Sequence, residues 1–289
     1  MPQTTPISPL RQRLIDDMTL RNFSPKTHWA YVHGVKILAE FLHRSPTKAT
    51  ADDLRLFRLH LVDRGYSVHM INQSLAALRF FYRVTAPRDD LVATIPYIKQ
   101  PEQLPVVLSQ DEVVRLLAAA PGFKYQVMLS TCYAAGLRVS ELVNLKVADI
   151  DSSRNVIRIE QSKGNKDRYV MLSPDLLDLL RKWYRFAHPE YWLFPGMVAG
   201  NPLTTNIIRW AVRRATQKAG ITKRVSPHTL RHSFACHLLE NKTDIRVIQV
   251  LLGHARIEST NHYARIALGA IGDLTSPFDL LQRKAAPPA

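Results

Sequence analysis

The feature that most constrains the fold of this chain is a proline-rich segment in its first half. Residues 86–109 read APRDDLVATIPYIKQPEQLPVVLS and show neither helical nor strand spacing of apolar residues. The prolines stand at Pro87, Pro96, Pro101 and Pro105. Since proline fixes φ and lacks a backbone donor, such a segment favours an extended chain. It predicts a linker at 87–108 that divides the 289 residues into two domains, each long enough to bury a core.

Residues 1–86 have the pattern of a small helical bundle. Serine followed by proline at 8–9 and 24–25 places a capping side chain before a proline at the first helical position. A variant of the capping box begins at Thr50, and a further apolar stripe runs from about 68 to 84. We therefore predict four short helices and no catalytic cluster in this part of the chain.

Residues 109–270 predict a second, mostly helical domain, which starts with a capping box at Ser109. Helical patterns recur at about 175–187, 205–219, 228–241 and 244–252. Between them, residues 155–172 (NVIRIEQSKGNKDRYVML) have two β-rich arms around a basic turn, which predicts a hairpin. The predicted fold class is therefore mainly α with a small antiparallel β-sheet.

The chain is strongly basic. It has 39 Lys and Arg against 24 Asp and Glu, a formal net charge of +15 and a pI near 10.0. Basic residues are in excess on both sides of the linker, so either domain can lie against phosphates. The charge predicts a polyanionic partner.

Several classes of protein are disfavoured. No apolar run approaches the roughly 18 to 20 residues of a membrane span, and the first residues, MPQTTPISPLRQRL, lack the apolar core of a signal peptide. Two cysteines, Cys132 and Cys236, cannot form a disulfide framework. We expect a cytoplasmic protein with no membrane segment.

The stretch HTLRHSFACHLLE at 228–240 admits two interpretations. His228, His232 and Cys236 recur every four residues, which puts three potential metal ligands on one side of a helix. They span roughly 12 Å of rise at 1.5 Å per residue, so only adjacent pairs could share an ion. With no C-x-x-C or H-E-x-x-H in the chain, we expect no metal; His232 is interpreted as a supporting group, and Cys236 and His237 as packing residues.

The second interpretation is phosphoryl transfer. His228 and Arg231 stand one turn apart at a predicted helix start, where anions are stabilised. Arg138 stands at a turn before another helix, and Lys163 stands in the basic hairpin turn. The complete set of candidates is Arg138, Lys163, His228, Arg231, His254 and Tyr263.

Four motifs that carry these residues, AAGLRVSELVNL, SKGNKDRYVML, HTLRHSFACHLL and LLGHARIESTNHY, occur in this order. Together they resemble the motifs of the tyrosine recombinase (phage integrase) family, in particular its Xer-like simple two-domain members. The resemblance implies a SAM-like, core-binding domain at 1–86 and a catalytic domain at 109–270, which form a C-shaped DNA clamp. For the tail at 271–289 it implies docking on a neighbouring protomer, with packing inside the same chain as the alternative.

The resemblance also implies a role for each candidate. Matching positions are the two catalytic arginines (Arg138, Arg231), the hairpin lysine (Lys163), the two histidines (His228, His254) and the nucleophile (Tyr263). The implied reaction cleaves a DNA strand through a 3′-phosphotyrosyl intermediate, leaves a free 5′-hydroxyl and proceeds through a Holliday junction. Because the phosphotyrosine conserves the energy of the phosphodiester, neither a metal nor another cofactor is expected.

We therefore predict a site-specific recombinase or integrase that acts on double-stranded DNA as a homotetramer on two recombination sites. Two other functions were weighed. A type IB topoisomerase would share Tyr263, the arginines and the lysine but would relax supercoils as a monomer; the small size and the apolar tail argue against it. A non-catalytic DNA-binding protein would need the basic surface alone, and the intact spacing of six candidates argues against that.

Overall fold

The computed structural model describes residues 7–99, 104–162, 166–198 and 200–253, with the backbone alone described at 161, 162 and 166. The chain forms two compact units, Met1–Glu102 and Gln103–Ala289. Among the helices that the structure describes, none combines the length and the apolar character needed to cross a membrane.

The first unit contains the four predicted helices and one that was not predicted. They are α1 (Pro9–Thr19), α2 (Pro25–Leu42), α3 (Ala51–Asp63), α4 (Val68–Phe80) and α5 (Asp89–Ala93). The serine side chains at 8 and 24 accept hydrogen bonds from first-turn backbone N–H groups, and Thr50 forms the capping box. A 3-10 turn (Pro46–Lys48) and a π-helical turn (Phe81–Thr85) complete the unit.

The core of the first unit is built from the inner faces of α1 to α4. Leu38, Phe57 and Leu78 are fully buried there. Helices α2 and α4 approach closely at Gly34, because a Cβ on Gly34 would lie 2.9 Å from the Cβ of Ala77. The helical bundle predicted for this part of the chain is thus present, with its own core, in the residues that the structure describes.

The prediction of an extended linker at 87–108 is wrong at both ends. Residues 89–93 form α5, and Leu91 and Ile95 are buried in the core of the first unit. At the other end, Leu108 is fully buried in the core of the second unit. The chain between the prolines at 87 and 96 is long enough for one helical turn. Asp89 and the next aspartate lie in its first turn, where negative charge stabilises the start of a helix.

The second unit is mostly helical. Its helices are α6 (Gln110–Ala118), α7 (Phe123–Ala134), α8 (Val139–Val143), α9 (Pro174–Ala187), α10 (Thr205–Lys218), α11 (Pro227–Glu240) and α12 (Ile245–Leu252). A 3-10 turn at Val147–Asp149 leads into the sheet. The helices predicted at 175–187, 205–219, 228–241 and 244–252 are all present within one residue of those bounds.

The sheet of the second unit has three antiparallel strands in the order β1-β2-β3. They are β1 (Ile150–Asp151), β2 (Val156–Ser162) and β3 (Lys166–Met171). The predicted hairpin is β2 with β3, in which Arg158 pairs with Tyr169, while the two-residue β1 was not predicted. The predicted fold class, mainly α with a small antiparallel sheet, is confirmed.

Candidate active site

Arg138 is positioned by a tight turn between α7 and α8. Gly136 adopts φ +58°, and a Cβ there would lie 2.4 Å from Cδ1 of Phe234, so this position requires glycine. Arg138 then becomes the N-cap of α8, and its backbone N–H donates to Oε2 of Glu141 at 2.8 Å. The predicted helix start after this arginine is therefore present.

His228 and Arg231 are positioned by the start of α11. Ser226 caps the helix through a reciprocal pair of bonds with Thr229, and Pro227 takes the first helical position. The side chain of Arg231 is only 4% exposed, whereas His228 lies at the surface. One helical turn thus presents a buried guanidinium and an exposed imidazole.

Three arginines converge on the buried carboxylate of Glu141. Nη1 of Arg138 donates to Oε1 at 2.7 Å, and Arg168 donates to both oxygens, Nη1 to Oε1 and Nη2 to Oε2, at 2.8 Å each. Nη1 of Arg231 lies 3.7 Å from Oε2. Burial raises the pKa of Glu141, but the hydrogen bonds and charges of Arg168 and Arg138 more than offset it and bring the pKa to about 2.

The same three arginines bind the last carbonyl groups of α12. Nε of Arg168 donates to the carbonyl oxygen of Leu251 at 2.8 Å, and Nη2 of Arg231 donates to that of Leu252. Nη2 of Arg138 donates to the carbonyl of Gly253 at 3.3 Å. These bonds satisfy carbonyls that have no partner within the helix. The positive charges of the arginines also interact favourably with the negative end of the helix dipole.

The position of Arg231 is fixed from a second side. Its Nη1 also donates to the carbonyl oxygen of Gly136 at 2.6 Å. Arg231 therefore joins the turn before Arg138 to the end of α12. The two arginines that the sequence assigned to phosphate binding share one network.

His228 lies within the electrostatic reach of this network. Its pKa is lowered from 6.5 by partial desolvation and by the charges of Arg231, Arg138 and Arg209. A neutral imidazole is therefore favoured near pH 7, which is the form that accepts a proton. Its ring centroid lies 6.4 Å from that of His232, one turn further along α11.

The structure brings together three of the six predicted site residues. Arg138 and Arg231 meet at the junction of α8, α11 and α12, and His228 lies one turn before Arg231 on α11, where the charges of both arginines lower its pKa. Three more, Lys163, His254 and Tyr263, lie outside the described residues, as does the tail at 271–289. In the sequence, His254 directly follows Gly253, and Lys163 directly follows β2.

The metal interpretation of α11 gains no support in the described ranges. Cys236 is fully buried in a small apolar cluster with Phe234 and Ile248, in the packing role predicted for it. Among the residues that the structure describes, no three His, Cys, Asp or Glu side chains are grouped as metal ligands.

His237 was predicted to be a packing residue, but it forms two specific hydrogen bonds. Its Nε2 donates to the carbonyl oxygen of Leu108 at 2.9 Å, and its Nδ1 lies 2.7 Å from the hydroxyl of Tyr133. Because a carbonyl only accepts, Nε2 carries a proton and donates it to this bond. Ser233 also binds the backbone N–H of Leu108, at 2.9 Å. The chain entering the second unit is thereby fixed to α11.

Sequence reasoning missed Arg168. Residues 168, 170 and 172 are buried while 167, 169 and 171 are exposed, so Arg168 occupies the inward phase of β3. In the sequence, Arg168 alternates with the apolar Val170 and Leu172, which places an arginine on the buried face of the strand. This pattern could have identified Arg168, because a buried charge needs dedicated partners.

Exposed basic side chains line a cleft beside His228. Arg209 and Arg213 project from α10, and Lys223 and Arg224 follow it in the chain. Ser226, Pro227 and His228 complete one wall. The cleft concentrates positive charge next to the arginine network, which favours a polyanion at this surface.

Comparison with known proteins identifies the family. The model of the phage integrase family matches residues 106–268, and that of its N-terminal SAM-like domain matches residues 10–89. The chain belongs to the phage integrase family. The enzyme class predicted from the motifs, a tyrosine-type site-specific recombinase, is confirmed with it.

Relatives of this phage integrase family member align over nearly its whole length. A putative integrase/recombinase of Sinorhizobium fredii is 45% identical over 284 residues, covering 98% of this chain and 92% of the relative. The tyrosine recombinase XerA of Thermococcus kodakarensis is 39% identical, covering 87% and 88%. The crystal structure of XerH bound to its difH substrate shares the fold, with a TM-score of 0.71, 21% identity and coverage of 91% and 83%.

Proposed function

We propose that the protein is a DNA integrase or recombinase that cleaves and rejoins strands at specific sites with Tyr263 as the nucleophile. The observation that carries the proposal is the meeting of Arg138 and Arg231 at the ionised carboxylate of Glu141, with His228 one turn before Arg231 on α11. Two guanidinium groups and a neutral imidazole are the groups that an attack on a phosphodiester requires at neutral pH.

Arg138 and Arg231 would bind the non-bridging oxygens of the scissile phosphate. Negative charge grows on those oxygens during transfer, and guanidinium groups offer planar, paired donors that stay charged. Glu141 keeps both arginines oriented before DNA arrives. Donors organised in this way are worth on the order of 3 to 4 kcal/mol each to the transition state.

The cleavage step is a balanced transfer. The phenolic oxygen of Tyr263 attacks phosphorus as His228 takes its proton, and a Tyr263–phosphorus bond replaces the bond to the 5′-oxygen. Lys163 donates a proton to the departing 5′-oxygen, and His254 donates a hydrogen bond to the phosphate. A 5′-hydroxyl of the partner strand then attacks the phosphotyrosine, which restores the diester and the free tyrosine through a Holliday junction.

Double-stranded DNA is the partner that the charges support. The basic cleft beside His228 offers a path for the phosphates that flank the cleaved one. A relative with the same fold, XerH, was crystallised on its recombination-site DNA. Exchange between two sites requires four cleavages, so we propose a homotetramer on two DNA sites, with the tail at 271–289 docking on a neighbour.

A nicked suicide substrate tests the proposal. Inverted repeats in the DNA that flanks the coding region supply the candidate site, and a nick just downstream of the cleavage position lets the short fragment with the free 5′-hydroxyl diffuse away. We expect the wild-type protein to accumulate a covalent DNA adduct and Tyr263→Phe to form none. An adduct with Tyr263→Phe, or none with the wild type, would contradict the proposal.

The same preparation separates the two other functions. A topoisomerase relaxes a supercoiled plasmid that lacks the site, at a rate comparable to that on one that contains it. A non-catalytic DNA-binding protein shifts the site in a gel and forms no adduct. The proposed recombinase joins two DNA fragments only when both of them carry the site.

A further inference from the structure

Arg168 holds a buried position that a charge rarely occupies. Its side chain is 8% exposed, on the face of β3 that also buries Val170 and Leu172. All three of its described hydrogen bonds end on the protein: two on Glu141 and one on the carbonyl of Leu251, each at 2.8 Å. A buried charge is tolerated only when it is paired and hydrogen-bonded, and Glu141 and the Leu251 carbonyl are described partners that meet this need for Arg168.

Arg168 shares the carboxylate of Glu141 with Arg138, and it binds the same chain segment, 251–253, as Arg138 and Arg231. Glu141 receives both the backbone N–H and the guanidinium of Arg138. The segment 251–253 presents three successive carbonyls, to Arg168, Arg231 and Arg138 in that order. Arg168 is thus the element of the network that ties β3 to the carboxylate and to the end of α12 at once.

The bonding pattern requires a guanidinium. Parallel bonds to both oxygens of Glu141 fix the plane of the carboxylate, while the third bond, from Nε, fixes the helix end. An ammonium group is a point charge and cannot make the fork and the third bond together. Without the fork, the carboxylate keeps its bonds from Arg138 but loses its connection to β3, so Arg138 is held less firmly.

We propose that Arg168 is a positioning residue for DNA cleavage, acting through Glu141 and the Leu251 carbonyl to aim the guanidinium groups of Arg138 and Arg231. This inference rests on the proposed function. Misplacement of a catalytic group by about 1 Å lowers a rate by on the order of 100-fold, so the effect of losing Arg168 falls on the chemical step.

The test separates binding from chemistry. Covalent adduct formation on the suicide substrate is timed at saturating DNA, and the dissociation constant for the intact site is measured by gel shift. Arg168→Lys, which keeps the charge, is expected to slow cleavage by roughly 10- to 100-fold while the dissociation constant stays within about twofold. Arg168→Met, which keeps the length, is expected to be slower still.

Arg158→Met is the matched control. Arg158 lies on the adjacent strand β2, half exposed, and pairs with Asp167 at 2.9 Å. Its loss is expected to change the cleavage rate at saturating DNA by less than about twofold, because an exposed ion pair contributes little to order. Thermal unfolding of every variant gives the folded fraction by which its rate is corrected.

A double substitution tests the route of action. If Arg168 acts through Glu141, then Arg168→Met combined with Glu141→Gln is about as slow as the slower single variant. If the double variant is slowed by the product of the two single factors, Arg168 does not act through Glu141. Wild-type cleavage rates for Arg168→Lys, or a loss that vanishes after correction for the folded fraction, would overturn the proposal itself.

The outcomes also distinguish the two proposals. If the wild-type protein forms no Tyr263 adduct, the proposed function fails. If the wild type forms the adduct and the Arg168 variants form it equally fast, only the positioning role fails.

Discussion

Glu141 accepts hydrogen bonds from both the backbone N–H and the guanidinium of Arg138, at 2.8 and 2.7 Å. One carboxylate therefore caps the N-terminus of α8 and orients a candidate catalytic side chain. Its buried charge is balanced by Arg168, which binds both oxygens, and by the nearby Arg231. Fold stability and phosphate binding depend on the same group.

The first prediction concerns acid stability. The pKa of Glu141 is lowered from 4.5 to about 2 in the folded protein. The ionised carboxylate therefore stabilises the fold fully above a pH of about 4.5, and this stabilisation is lost as the pH falls through about 2. That contribution is about 3 kcal/mol of unfolding free energy. The difference in unfolding free energy between the wild type and Glu141→Gln should therefore shrink as the pH falls over this window.

Glu40→Gln is the control for this measurement. Glu40 pairs with Lys36 on the surface of α2, and its side chain is 61% exposed. The difference in unfolding free energy between Glu40→Gln and the wild type should stay small at every pH. A Glu141→Gln difference that is independent of pH would show that the network does not lower the pKa of Glu141.

The second prediction concerns the protonation of His228. Its pKa lies below 6.5 because of partial desolvation and the charges of Arg231, Arg138 and Arg209. Imidazole NMR signals of the DNA-free protein should therefore titrate below 6.5. Arg209→Gln should raise this pKa, since it removes a cation, while Arg214→Gln on the same helix serves as the control. A pKa above 6.5 in the wild type would contradict the electrostatic picture.

The third prediction compares two neighbours on α11. Arg231→Ala removes a candidate phosphate ligand and should lower the cleavage rate by on the order of 100- to 1000-fold. His232→Ala should be far milder, because His232 is assigned a supporting role. The measurement is the single-turnover rate on the suicide substrate, with circular dichroism to check folding. Equal losses in the two variants would remove the distinction between them.

The fourth prediction concerns metal. Arginines, a histidine, a lysine and a tyrosine supply every charge and proton that the proposed transfer requires. Adduct formation should therefore be unchanged by EDTA. A loss that EDTA causes and zinc reverses would restore the interpretation of His228, His232 and Cys236 as metal ligands.

Local signals made much of the fold predictable from the sequence. Ser24 before Pro25 and Ser226 before Pro227 set helix starts through bonds that span three residues, and those starts are present. The hairpin followed from β-rich arms around a basic turn. Such features were accessible because their causes lie within a few positions of the chain.

What the sequence did not reveal depends on contacts between distant residues. Helix α5 forms because Leu91 is buried in the core of the first unit, among residues far from it in the chain. Likewise, Arg168 meets Leu251 across 83 positions of the chain. The motifs predicted which arginines matter, while Arg168 and the helix end that binds all three arginines became visible only in three dimensions.

The most direct test of the proposed chemistry is to map the covalent adduct formed by the wild-type protein on the nicked substrate. Proteolysis and mass spectrometry locate the attached residue, and polynucleotide kinase labels the released fragment if it ends in a 5′-hydroxyl. We predict a 3′-phosphodiester on Tyr263 and a fragment that the kinase labels without prior dephosphorylation. Attachment at another residue, or a linkage to the 5′-phosphate, would contradict the proposed mechanism.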